Sequence, residues 1–209
     1  MPFDEILKNV GDYYSGKVRE HGPTAKGVDW NSPESQTLRF DQLLKLHETA
    51  EPFSLIDYGC GYGAMAAHMA QRNLAFRYMG FDISEMMIST AKETHARREN
   101  CEFTTDAARL TPADYTVASG IFNVRLKTNT AEWERYVFDT IEKLNSLSIK
   151  GFAFNILTGY ADPEYKRQDL YYPDPCFYFD YCKRHYSRHV SLLHDYGLYE
   201  FTILVRKLI

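Results

Sequence analysis

The chain has 209 residues, of which 44% are hydrophobic and 25% charged, with a net charge of -4. That length is ample for one domain with its own core, and the composition is that of an ordinary globular protein. An isoelectric point near 6.0 excludes the concentrated basic footprint of a nucleic-acid binder, and no apolar run reaches the length of a membrane span.

Residues 1–50 read as helical segments broken by a turn-rich stretch, GPTAKGVDWNSPE, at 22–34. Within them Ser35 to Leu46 carries leucines at 38, 43, 44 and 46, roughly the period of an amphipathic helix. This front part is expected to be an N-terminal helical cap. Strands and helices then alternate. PFSLIDYG is a first strand ending near Asp57, and AMAAHMAQRN a first helix. FRYMGFDI and SEMMISTAKETHARR repeat the pair, with Ser84 as the expected N-cap. CEFTTD, YTVASGIF and GFAFNIL supply three more strands, with a helix in TAEWERYVFDTIEKLNSLS before the last of them. Strand–helix alternation implies a parallel sheet with crossovers. The closing stretch HVSLLHDYGLYEFTILVRK reads as two strands turning at Tyr196 and Gly197, close enough to form an antiparallel hairpin.

Sixteen tyrosines and thirteen phenylalanines crowd especially into YYPDPCFYFDY at 171–181. So dense an aromatic run beside two prolines is expected to be a loop or lid, part of a substrate-side insertion over 158–188, rather than a regular buried element. Four cysteines, Cys60, Cys101, Cys176 and Cys182, are too few and scattered for a disulfide scaffold. The N-terminus MPFDEILKNVGDYY lacks the layout of a signal peptide. The expected setting is reducing and cytoplasmic.

The chemistry begins at SLIDYGCGYGA, residues 54–64, where Gly59, Gly61 and Gly63 alternate directly after a strand. Glycines at a strand–helix turn let a ligand approach the backbone, and GCGYGA satisfies the dinucleotide fingerprint G-x-G-x-x-G/A. Asp82 closes the second strand about twenty residues beyond the turn, where a carboxylate accepts from both hydroxyls of a ribose. The competing reading of Asp82 is a helix cap beside Ser84.

DYGCGYG after the first strand, FDIS after the second, TTD after the third and ASGIFN at the fourth together resemble the motifs of the class I S-adenosylmethionine-dependent methyltransferases, over roughly residues 50–209. The resemblance implies an α/β fold: a doubly wound, mostly parallel, seven-stranded Rossmann-like sheet with an antiparallel C-terminal hairpin, helices on both faces, and one domain over 1–209. It also implies S-adenosyl-L-methionine as cofactor. Asp57 and the backbone of Gly59, Cys60 and Gly61 would hold its methionine portion, Asp82 the ribose, Ile83 and Ala107 the adenine. Asp106 would accept from the adenine amine, and Ser119 and Gly120 would line the cofactor through main-chain contacts. No lysine lies in residues 53–64, as suits a ligand with a sulfonium and no phosphate. Related enzymes fold an N-terminal helix over the cofactor. QTLRF at 36–40 is the candidate here, with Arg39 placed to clamp the cofactor carboxylate. An exposed arginine beside a buried Phe40 is the alternative.

The acceptor is expected to be a small molecule, since SGIFN stands where nitrogen-methylating relatives carry Pro-Pro-aromatic. Transfer is expected at oxygen. Neither nucleic acid nor membrane is expected as a partner, and a homo-oligomer is compatible with the sequence. Asn123, His185 and His189 are the candidate catalytic groups, the histidines as bases. Arg125, Tyr171, Tyr172 and Asp174 are the candidate acceptor contacts. Cys182, His185 and His189 stand at i, i+3 and i+7, but the spacing matches no common zinc pattern, so no metal is expected. Two alternatives stay open: a catalytically silent binder of S-adenosylmethionine or S-adenosylhomocysteine, and a nicotinamide-dependent oxidoreductase.

Overall fold

The computed structural model describes residues 3–207. Two helices lead, α1 (Asp4–His21) and α2 (Pro33–Leu44), with a short 3-10 turn at Lys26–Val28 between them. Ser32 caps α2 by accepting from the Ser35 amide, with Pro33 at the first helical position, where a proline costs no hydrogen bond. The alternating part follows as β1 (Phe53–Tyr58), α3 (Ala64–Gln71), β2 (Phe76–Phe81), α4 (Glu85–Thr94), β3 (Cys101–Thr104), β4 (Ala113–Ala118), α5 (Thr130–Ser146) and β5 (Ser148–Leu157). The expected cap at Ser84 is present, accepting from the Met87 amide. After a further helix, α6 (Pro175–His185), the chain closes with β6 (His189–Leu193) and β7 (Glu200–Arg206).

The strands form one seven-stranded sheet in the order β3-β2-β1-β4-β5-β7-β6. The first five pair in parallel, and β7 enters antiparallel between β5 and β6. Strand order reverses beside β1, so the carboxyl ends of β1 and β4 open a crevice at the topological switch point. That crevice positions the site.

Alternation along β5 sorts the two faces. Phe152, Phe154 and Ile156 meet Trp133, Val137 and Ile141 of α5 on one side. Ala153 joins Leu43, Leu55, Met65, Met69 and Leu204 on the other. Positions 133, 137, 141 and 144 of α5 are each fully buried, a helical stripe that covers a flat apolar face.

The aromatic run departs from expectation. Most of it is helix α6, capped by the Asp174 carboxylate, which accepts from the Cys176 amide, and opened by Pro175 at its first position. Prolines before and at the start of a helix do not interrupt it. The rings then divide by helical face: Tyr178 and Cys182 are fully buried against the sheet, while Phe177 stays half exposed. Only the part of the expected insertion before α6 lies over the site.

Candidate functional site

Two adjoining cavities occupy the crevice. The smaller, about 280 Å3, is enclosed by the glycine turn, the ends of β1, β2 and β4, and the faces of α1 and α2 turned toward them. The larger, about 800 Å3, lies beyond β4 and β5 under the segment before α6. Tyr14, Val28 and Trp30 line both, so this trio is their common wall.

In the smaller cavity Gly59, Gly61 and Gly63 take φ of 86°, 53° and 81°, backbone that side-chain-bearing residues seldom adopt. A Cβ on Gly59 would stand 2.2 Å from Ile121. The amides of Gly59 and Cys60 both donate to the Phe81 carbonyl, and that of Gly61 to Asp82 Oδ2 at 2.8 Å. These N–H groups are therefore committed within the fold. A phosphate would find none of these three donors free.

Asp57 is 3% exposed. Its Oδ2 accepts from Tyr78 Oη at 2.6 Å, while its Oδ1 is buried without a partner among the described residues. Burial lifts its carboxyl to about 7 against the opposing pull of the Tyr78 bond. A buried carboxylate with one unmet oxygen is costly until a donor arrives. Asp82 also lines the cavity, and its oxygens accept from the Gly61 and Ser84 amides at 2.8 and 2.9 Å. Each oxygen keeps a further lone pair. Burial raises this carboxyl as well, with the Ser84, Gly61 and Ile83 amides pulling the other way. Ile83 leaves an apolar side chain exposed beside it.

Of the expected cofactor residues, Asp57, Gly59, Cys60, Gly61, Asp82, Ile83, Ala107, Ser119 and Gly120 all line this cavity. Three do not. Gly63 is the N-cap of α3, where a Cβ would meet His95 and Phe103 at 2.9 Å. Asp106 is exposed and caps the short turn after β3 by accepting from the Ala108 amide. Arg39 faces the larger cavity instead. Its Nε and Nη2 reach the two Glu200 oxygens at 2.8 and 2.7 Å, and its Nη1 donates to Ser35 O. The expected carboxylate clamp is thus already spent on a buried glutamate.

Corrections are larger on the acceptor side. His185 closes α6 and His189 opens β6, beside Arg206 at the far end of β7. Because β6 runs in the same direction as β5, both histidines sit at the amino ends of the strands, opposite the crevice. Neither can serve as base there. Cys182 points into the core while the His185 ring packs at a tilt against Tyr181, so the three do not converge. Arg125 donates to the carbonyls of Leu170, Thr128 and Gln168, a clamp on a loop rather than an anion site. Tyr171 is buried and bonded to Glu134 and Tyr178, and Asp174 is the helix cap already described. Tyr172 does line the larger cavity, as does Asn123. Asn123 Oδ1 accepts from the Leu157 amide at 3.0 Å, and its Nδ2 is buried without a partner among the described residues.

Several lining residues escaped the sequence reading. Leu7, Val10, Gly11 and Tyr14 present one face of α1 to the smaller cavity, and their i, i+3, i+4, i+7 spacing is a signal that was there to be read. Trp30 had no such signal. It is held between two partners: the Arg39 guanidinium lies 3.8 Å from its ring centre, and a Cβ on Gly120 would come within 2.3 Å of it.

A family model for a methyltransferase domain matches residues 55–143. A protein of Mycobacterium tuberculosis (strain ATCC 25618 / H37Rv) named "Putative methyltransferase Rv1506c" is 50% identical over 164 residues, 78% of this chain and 99% of that one. Among solved structures, magnesium protoporphyrin IX methyltransferase from Synechocystis PCC 6803 with bound SAM aligns with a TM-score of 0.68 at 17% identity, covering 96% of this chain and 97% of that one. Human N-acetylserotonin methyltransferase in complex with SAM aligns at 0.66 and 15% identity, over 99% of this chain and 60% of the other. At such identities the likeness to the two structures is one of fold.

Proposed function

The chain belongs to the class I S-adenosylmethionine-dependent methyltransferases, and on that premise we propose that it methylates a hydroxyl oxygen of a small, uncharged acceptor held in the larger cavity. The wall shared through Tyr14, Val28 and Trp30 carries this reading, because it sets a second chamber directly against the cofactor chamber. The charges lining the larger chamber are matched within the protein: Arg39 by Glu200, and Arg167 by Asp169 and Asp29. Nothing there favours an anionic acceptor.

The residues present fit the cofactor. Asp57 Oδ1 is an unmet buried acceptor suited to an ammonium, Asp82 keeps lone pairs for ribose hydroxyls, and Ile83 with Ala107 gives apolar contact for the adenine. When bound, S-adenosylmethionine supplies an activated methyl, whose transfer forms a carbon–oxygen bond as the carbon–sulfur bond breaks and its electron pair stays on sulfur. The protein's share is alignment, exclusion of water and disposal of the hydroxyl proton. For the last we assign Asp29. It lines the acceptor chamber between Val28 and Trp30, two residues of the common wall. Its carboxylate is held by Tyr13 Oη at 2.7 Å and Lys17 Nζ at 2.9 Å. Four free cysteines suit a reducing compartment such as the cytoplasm.

Turnover tests the reading. Incubation with S-adenosylmethionine and a panel of neutral hydroxylated compounds is expected to yield S-adenosylhomocysteine and a methyl ether from at least one of them. A product methylated at nitrogen or carbon, or no product across the panel, would sink it.

Two binding predictions follow from the smaller chamber. Asp82→Asn sets an amide N–H against a backbone donor and halves the ribose acceptors, so S-adenosylhomocysteine affinity should fall by about 1.5–3 kcal/mol, roughly ten- to a hundredfold. Calorimetric titration reads this directly, and an unchanged affinity would place the ribose elsewhere. The second concerns pH. Asp57 is raised in the folded protein to about 7, so the free protein holds its proton there while the unfolded chain releases it from about 3.9 upward. This group's contribution to ligand-free stability is therefore full in acid and lost as pH rises through 7. An ammonium ligand needs the ionised form. Cofactor affinity should accordingly weaken as pH drops below 7, by up to about tenfold per unit, and Asp57→Asn should flatten that dependence. An equally steep profile in the variant would assign it to another group.

A further inference from the structure

The larger chamber says more about what it accepts, on the footing of the reading just given. Two large aromatic side chains that pack little elsewhere stand on its wall: Tyr165 and Tyr199 are 63% and 42% exposed. Their rings stack on each other, 5.8 Å between centres and 30° between planes. An exposed aromatic pair on a cavity wall gives an apolar face without closing the chamber. Polar groups are interspersed among the apolar residues on the rest of the wall. Asn123 brings a buried amide donor that no described residue meets. The Arg39–Glu200 pair closes the chamber behind this wall, with Glu200 fully buried and both of its oxygens met by Arg39. The charged side chains there are paired within the protein, as described above.

A flat aromatic acceptor would want apolar walls on both faces and one or two polar contacts. An anionic one would want an uncompensated cation. Donors and acceptors spread around a neutral chamber, with stacked aromatic rings on one wall, match a ring that has an apolar C–H face and hydroxyls on its rim. We propose that the acceptor is a neutral polyhydroxylated ring, a glycosyl unit, stacked on Tyr165 and Tyr199 and hydrogen-bonded through a hydroxyl to Asn123. A wall built to bond hydroxyls discriminates strongly against analogues that lack them, because its own polar groups are then left unpaired.

The test is equilibrium binding to the full chain saturated with S-adenosylhomocysteine, using neutral methyl glycosides, neutral phenols and sugar phosphates as three probe sets. At least one methyl glycoside is expected to bind, with phenols and phosphates weaker. Tyr165→Ala should lower that affinity by about two- to tenfold while leaving the melting temperature unchanged, since the ring is mostly in solvent. Asn123→Asp, which keeps the acceptor for the Leu157 amide and removes the donor, should also lower it. Binding of phenols or phosphates alone, no glycoside bound, or a Tyr165→Ala variant that binds glycoside normally would overturn the proposal. The two readings fail separately. A phenol converted to its methyl ether would support oxygen transfer and sink the glycosyl acceptor. A glycoside bound but never methylated would uphold the pocket and sink the oxygen transfer.

Discussion

Arg39→Leu is expected to destabilise the fold by about 3–5 kcal/mol, the cost of stranding a buried charge. Glu200 is fully buried at the start of β7, and Arg39, 6% exposed on α2, meets both of its oxygens. Removing the guanidinium leaves a carboxylate with no water and no cation. It also takes away one of the two surfaces that hold Trp30. The paired replacement Arg39→Leu with Glu200→Leu should recover most of the loss, because two apolar side chains of moderate size can fill the space that two charges occupied. Urea unfolding of the three proteins reads both effects. Wild-type stability in the single variant would show that the pair is not holding α2 to the sheet. Had Arg39 gripped the cofactor instead, the single variant would lose ligand affinity with its fold intact, so stability and affinity together separate the two roles.

The sheet was legible because its signals are local. An apolar run, a glycine turn and a capped helix recur along the chain, and each element is specified within about a dozen residues. FSLIDY and FRYMGF state their own strands, and Ser84 its own cap. α6 was misread for a reason that is also local: density of aromatic residues was weighed above their periodicity. Tyr178 and Cys182 share a face, and Pro175 sits where helices begin.

The site divides along the same line. Asp57, the glycine turn and Asp82 lie on consecutive elements, so motif order alone brings them together. The acceptor side is assembled from a loop near residue 30, the end of β5, the segment before α6 and the start of β7, and no motif records that convergence. Arg39 and Glu200 are separated by 161 positions. Their pairing depends on β7 entering between β5 and β6, which places Glu200 opposite Leu157. His185 and His189 failed because titratability was read without direction. Only the path of α6 down the sheet shows that they emerge at its far end.

With both histidines removed from the crevice, the proposed transfer to a hydroxyl needs another proton acceptor, and Asp29→Asn is expected to lower kcat by about 10²–10⁴ while cofactor affinity stays as it was. Glu200 is the other carboxylate on that wall, but it is fully buried and both of its oxygens are taken by Arg39. Asp29 is held by Tyr13, Lys17 and, at 3.9 Å, Arg167, none of which takes both of its oxygens. The substitution is close to neutral for the fold. Asp29 has a left-handed φ of 60°, and asparagine tolerates that region as aspartate does. The Lys17 and Arg167 pairs it weakens are partly exposed and contribute at most about 1 kcal/mol each. An Asp29→Asn enzyme with the same kcat would mean that the proton leaves to water, and Asp29 would then be only the anchor of the loop that carries Trp30.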